Sequence, residues 1–203
     1  MASKSSEAAG VQIRRPDIAN SLVHFTKGRV IHDMLMGQST AGDTAFDVLL
    51  QIIRQSVVIG GSGQVWGGGQ VACFTETPLA HVQHFCGSGK RYAPYGVMIS
   101  KSAAWEQGGR PVIYLPEHDR ERLFPDREDK WRVVRFDGPG SSNDYTDERE
   151  WRVPLEFDLK KALGVFVLVK EHEEVERVWQ VWGEHKAFAL RSVLAIEDLK
   201  HFV

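Results

Sequence analysis

Glu148, Glu150 and Arg152, at alternate positions in "DEREWRVPL" (147–155), are the residues best placed by type and spacing to do chemistry. On an extended strand, period two predicts these three on one face, with Arg149, Trp151, Val153 and Leu155 on the other. Two strand positions span about 6.5 Å, so both acids can act on one ligand. Arg152 is near enough to pair with Glu150 and hold it ionised and oriented. A carboxylate fixed in this way accepts a ribose hydroxyl or stabilises a developing cation. The plainer reading is a solvated charge row on an edge strand.

Three further groups carry weaker signals. In "VHFTKG" the alternation sets His24 and Thr26 on one face and Val23 and Phe25 on the other, which offers donors to a ligand or a hydrogen-bonded polar face. In "CFTETPL", Phe74 and Glu76 share one face, and Cys73, Thr75 and Thr77 share the other. His81 and His84 have the i, i+3 spacing of two ligands on one helix face, with Cys86 and Cys73 near in sequence. Neither C-x-x-C nor H-E-x-x-H occurs, and no metal is expected.

Stepping outward, the elements that must position these residues are strands more often than helices. "SLVHFTKG" (21–28), "VACFTET" (71–77), "YGVMISKS" (95–102), "RPVIYLP" (110–116), "EREWRVPLEF" (148–157) and "GVFVLVK" (164–170) read as strands, and "VLAIEDLKHFV" closes the chain with another. Ala45, Val48, Leu49, Ile52 and Ile53 follow the helical period, with Asp43 or Thr44 as cap. Thr77 and Pro78 start a second helix through "LAHVQHF", and Val175, Val178, Trp179 and Trp182 mark a third. A short helical turn is expected around Trp105, and a long excursion of helix or loop over 117–147. "GGSGQVWGGGQ" (60–70) holds six glycines but leads into a strand, not a helix, so it reads as a lid or surface loop and not as a dinucleotide turn. Strands that do not alternate regularly with helices predict an α+β fold.

Bulk properties set the outer limits. The 203 residues suit one domain, placed at 19–203 behind a disordered tail at 1–18. A formal net charge of −2 supplies no global basic field, so nucleic-acid contact would require a local patch. Two cysteines suggest no disulfide scaffold, and the absence of a long apolar run predicts a cytoplasmic protein with no membrane partner.

In order along the chain, "HFTK", "CFTETPL", "YGVMISKSAAWEQGGRPVIYLP" and "EREWRVPL" resemble the AbiGi-type family of phage-defence (abortive infection) proteins, over about residues 22–155. That family is in turn similar to the ADP-ribosyltransferase fold, which includes the DNA-modifying DarT toxins. The resemblance implies a split antiparallel sheet flanked by helices, with NAD bound in its cleft as a substrate. By position it implies that His24 and Thr26 contact the nicotinamide riboside, with His24 positioning substrate and not shuttling protons. It makes Glu150 the late catalytic glutamate, Glu148 its companion acid, and Thr75, Tyr95 or Ser100 the middle element. Phe25 and Phe74 lie inside the same motifs as cofactor-binding candidates, and Arg110 or Arg152 would meet the pyrophosphate. The implied activity is ADP-ribosyl transfer to nucleic acid or protein by a toxin or anti-phage effector. A non-catalytic antitoxin or sensor and an NAD glycohydrolase are the alternatives, and a cognate antitoxin or toxin is the implied partner.

Overall fold

The computed structural model describes residues 19–28, 30–33, 38–41, 44–63, 65–76, 78, 81–82, 86, 92–124 and 128–201. In chain order the strands are β1 (Ser21–Phe25), β2 (Val30–Asp33), β3 (Gln38–Ala41), β4 (Val57–Ile59), β5 (Val71–Thr75), β6 (Gly96–Ser100) and β7 (Arg110–Pro111). They continue as β8 (Ile113–Leu115), β9 (Val133–Arg135), β10 (Glu150–Pro154), β11 (Glu156–Asp158), β12 (Val165–Val169) and β13 (Leu190–Ala195). Among the described residues these are accompanied by the α-helices α1 (Ala45–Gln55), α2 (Lys101–Glu106), α3 (Glu117–Leu123) and α4 (Glu173–His185). The fold is α+β.

Seven strands form the main sheet in the order β13-β12-β6-β1-β5-β10-β7. Every neighbouring pair is antiparallel except β12 with β13. The ladder is uneven along this order. β1 is paired with β6 from Ser21–Ser100 to Phe25–Gly96, and β5 with β10 from Thr75–Glu150 to Val71–Pro154, whereas among the described residues β1 meets β5 only at Val23–Thr75. The sheet therefore has two firmly laddered halves and a loose seam between β1 and β5.

The larger core lies on the face covered by α1 and α4. Thr44 caps α1 through a capping box with Asp47, and Val48, Leu49, Ile52 and Ile53 are buried on one side of that helix. They pack with Leu22, Phe74, Val97, Val153 and Val167 from the sheet. On α4, Val178 and Val181 are buried and Trp182 packs against the core, while Trp179 is exposed. Below the other face, Val23, Phe25, Met98 and Leu168 form a smaller cluster with Val82, Cys86 and Ile196.

Several expectations need correction. Strand β10 begins at Glu150: Glu148 ends a 3-10 turn (Thr146–Glu148), and Arg149 takes a left-handed backbone with φ 45°. Period two therefore does not relate Glu148 to Glu150. Leu155, expected on the same strand face as Trp151 and Val153, has φ 63° and is 66% exposed, because it turns the chain from β10 into β11. "RPVIYLP" divides into β7 and β8, the latter pairing with β9 inside the excursion at 117–147. "VLAIEDLKHFV" is a strand only to Ala195, followed by a 3-10 helix. The tail at 1–18, Asp43, Thr77, His84 and most of the helix expected over 79–85 lie outside the described residues.

Candidate active site

Directly opposed residues in antiparallel strands point to the same side of the sheet. The pairs Val23–Thr75, Thr75–Glu150 and Cys73–Arg152 therefore align Val23, Cys73, Thr75, Glu150 and Arg152 on one face beside the seam. That face opens into a cavity of about 920 Å³, within the size range of small-molecule sites. Its floor is unusually polar for a sheet interior: Thr75, Glu148, Glu150 and Arg152 are all buried.

Two buried charges are costly to desolvate, and their pairing offsets that cost only with good geometry. Here Arg152 donates from Nε to Glu150 Oε1 at 2.8 Å and from an Nη to Oε2 at 3.3 Å, a two-pronged grip. Its other Nη donates to the Trp131 carbonyl at 2.6 Å. The guanidinium is thereby fixed, and its bonds serve Glu150 and the backbone. The Glu150 amide donates to the Tyr114 hydroxyl (3.2 Å), which donates onward to the Tyr145 carbonyl (3.0 Å). Burial pushes the Tyr114 phenol up to about 12, so it stays protonated and able to donate. Glu150 is held through both backbone and side chain, leaving further lone pairs on its oxygens for a ligand.

Glu148 arrives at the same cavity from the 3-10 turn and accepts from the Tyr92 hydroxyl at 2.8 Å. Tyr92 in turn stacks on Phe25 with centroids 5.1 Å apart, and Lys27 Nζ lies 4.9 Å from its ring centroid. The Cys73 thiol lies beside Glu150; enclosure by the cavity walls, then the neighbouring negative charge, raises its pKa and keeps it a thiol.

His24 has the opposite strand parity, yet its ring reaches the seam. Its Nδ1 bonds the Cys73 carbonyl at 2.8 Å, across the gap where β1 and β5 lack a full ladder. A carbonyl only accepts, so Nδ1 carries a proton, and in the neutral ring Nε2 is left as an acceptor. Burial lowers the His24 pKa, which favours that neutral form. Thr26 is fully committed as a donor: its Oγ donates to Ala45 O at 2.7 Å and to Tyr95 O at 3.3 Å.

Of the residues singled out in the sequence, the cavity gathers His24, Phe25, Thr26, Thr75, Glu148, Glu150 and Arg152. Four others lie away from it. Phe74 packs into the larger core against Phe157. The Tyr95 hydroxyl donates to Glu174 at 2.7 Å, and Ser100 caps α2 by accepting from the Ala103 amide. Arg110 lies over the Trp105 ring at 3.7 Å and donates to backbone carbonyls. Of the three middle-element candidates, only Thr75 faces the cavity, opposite Glu150 in the ladder.

Sequence reasoning missed Tyr92, Tyr114, Tyr145, Trp66 and Arg120. Trp66 had a local signal, being the one aromatic residue in the glycine-rich loop. Among the described residues, no group of three or more His, Cys, Asp or Glu is placed to hold a metal ion. No described helix is long and apolar enough to cross a membrane. No family model matches the chain, and neither a curated protein nor a solved structure matches it.

Proposed function

We propose that this protein is an NAD-dependent ADP-ribosyltransferase, with Glu150 as the catalytic carboxylate. The observation that carries the reading is the buried Glu150 on the cavity floor, gripped by Arg152 and opposed by Thr75. Cleavage of the bond between nicotinamide and ribose sends the bonding pair to the nicotinamide nitrogen and leaves positive charge on the ribose C1′ and ring oxygen. A fixed carboxylate lowers the energy of that charge without reorganising as it forms. The acceptor nucleophile then bonds to C1′ and gives up its proton, and water in its place yields free ADP-ribose. Glu148 is suited to a ribose hydroxyl or to the acceptor's proton, and the neutral His24 ring positions the substrate through Nε2. The resemblance of the ordered motifs to those of abortive-infection proteins supports a role as a toxin or anti-phage effector.

Incubation of the purified protein with NAD labelled on the adenosine side, with and without cell extract, tests the proposal. Nicotinamide release by the wild type that drops at least about a hundredfold in Glu150→Gln, with an unchanged circular dichroism spectrum, supports it. Neither NAD binding nor nicotinamide release under any condition sinks it. Label on a macromolecule marks transfer, whereas label only in free ADP-ribose marks a glycohydrolase.

A further inference from the structure

The sheet wall of the cavity carries the two glutamates, whereas the wall built by the glycine-rich loop and α3 carries an aromatic ring and cations. Trp66 sits half-buried in that loop, where Gly67 and Gly68 hold backbone φ values of 86° and 74°. The Arg120 guanidinium and Lys130 Nζ each lie 5.0 Å from the Trp66 ring centroid. Arg120 donates to Glu117 Oε2 at 2.8 Å, but its Nε is buried without a hydrogen-bond partner. Arg135, also in the cavity wall, is paired with Asp137 and lies 3.6 Å from the same Glu117 oxygen, so two guanidiniums share one carboxylate there. A buried guanidinium donor with no acceptor costs free energy that an anion would recover. The Trp66 indole beside it lines the cavity and gives a nucleobase an aromatic wall to pack against.

We infer that Trp66, Arg120 and Arg135, all lining the cavity, form a subsite for the base and adjoining phosphate of a nucleotide. A phosphate is repelled by the glutamates and attracted to the cations, so a ligand carrying both phosphate and ribose has one favourable orientation in the cavity. The inference rests on the proposed function in one respect: it assigns this wall to the adenosine diphosphate half of NAD. Specificity for that half then comes from the loop, α3 and β9, outside the motifs that carry Glu150, His24 and Thr75.

Calorimetric titration with ADP, adenosine and ribose 5-phosphate tests the subsite without turnover. ADP should bind the wild type more tightly than either fragment. Trp66→Leu should weaken ADP and adenosine about tenfold and leave ribose 5-phosphate unchanged, with Trp66→Phe retaining most of the affinity. Arg120→Met should weaken ADP and ribose 5-phosphate but not adenosine, with Arg120→Lys intermediate. Equal ADP affinity in the wild type and all four folded variants, or no ADP binding to the wild type, overturns the inference. So does a short single-stranded oligonucleotide that binds more tightly than ADP and loses affinity in the same variants, since the wall would then serve a strand. NAD cleavage without this pattern removes the subsite and keeps the function; the pattern without cleavage does the reverse.

Discussion

The two halves of the main sheet use the same ladder for different ends. In β13-β12-β6-β1, residues on both faces are mostly apolar and buried: Val167 and Val169 enter the larger core, and Leu168 the smaller one. In β5-β10-β7 only one face is apolar, through Ala72, Phe74 and Val153, while the other presents Thr75, Glu150 and Arg152 to the cavity. One half is stabilised by packing on both sides. The other gives up one packed face and replaces it with a charge pair whose geometry must be held by bonds.

That contrast is sharpest under Arg152→Met. Removing the cation strands Glu150 in a buried setting, which costs about 3–5 kcal/mol of stability, and frees the carboxylate to rotate. Urea unfolding should show the loss, and nicotinamide release should fall with it. Leu168→Ala in the packed half should cost a similar or slightly smaller amount, about 2–5 kcal/mol from lost transfer energy and a residual cavity. There, however, ADP affinity should stay unchanged once the variant is folded. If both variants lose stability and ligand binding together, the division between the halves fails.

A smaller effect is expected where the end of β1 is tied to α1 and to the segment leading into β6. Thr26→Val keeps the shape but removes the hydroxyl donor shared by Ala45 O and Tyr95 O. Unfolding measurements should show a loss of about 1–3 kcal/mol, the cost of leaving a buried carbonyl without that partner. The smallest concerns pH. The His24 pKa is lowered from 6.5 in the folded state, so below 6.5 the unfolded chain binds more protons and stability falls with pH. Stability linked to His24 is present above that value and lost as pH falls through the lower folded value. Melting temperatures between pH 7.5 and 5.5 should drop more for the wild type than for His24→Gln; parallel curves would remove the ring from the seam's energetics.

Legibility from sequence followed the range of the interactions. Helix α1 was readable because its apolar positions and its cap are encoded within one stretch. Strands β1, β5, β6 and β12 were readable for the same reason. Glu150 and Arg152 were correctly placed on one face, since two adjacent positions of a strand fix each other. The left-handed residues Arg149 and Leu155 were not readable, because neither is glycine and nothing in an alternating pattern announces a positive φ. Strands β4 and β9 are three residues each, too short for a period to register. Trp66, Arg120 and Tyr145 come from three separate segments whose meeting in the cavity depends on the tertiary fold. Tyr95, Ser100 and Arg110 resembled site residues by motif, yet local partners on their own side of the sheet claim their side chains.

The left-handed turn at Arg149 gives the two glutamates different supports. Glu150 is part of a ladder, and moving it means shearing hydrogen bonds on both neighbouring strands. Glu148 is delivered by a single turn outside the ladder, held instead by the Glu76 amide on its carbonyl and the Tyr92 hydroxyl on its carboxylate. One acid is thus braced by the sheet, and the other by bonds from beyond it. A ligand that reaches both carboxylates therefore meets one contact that cannot shift without the sheet and one whose position depends on Tyr92 and Glu76.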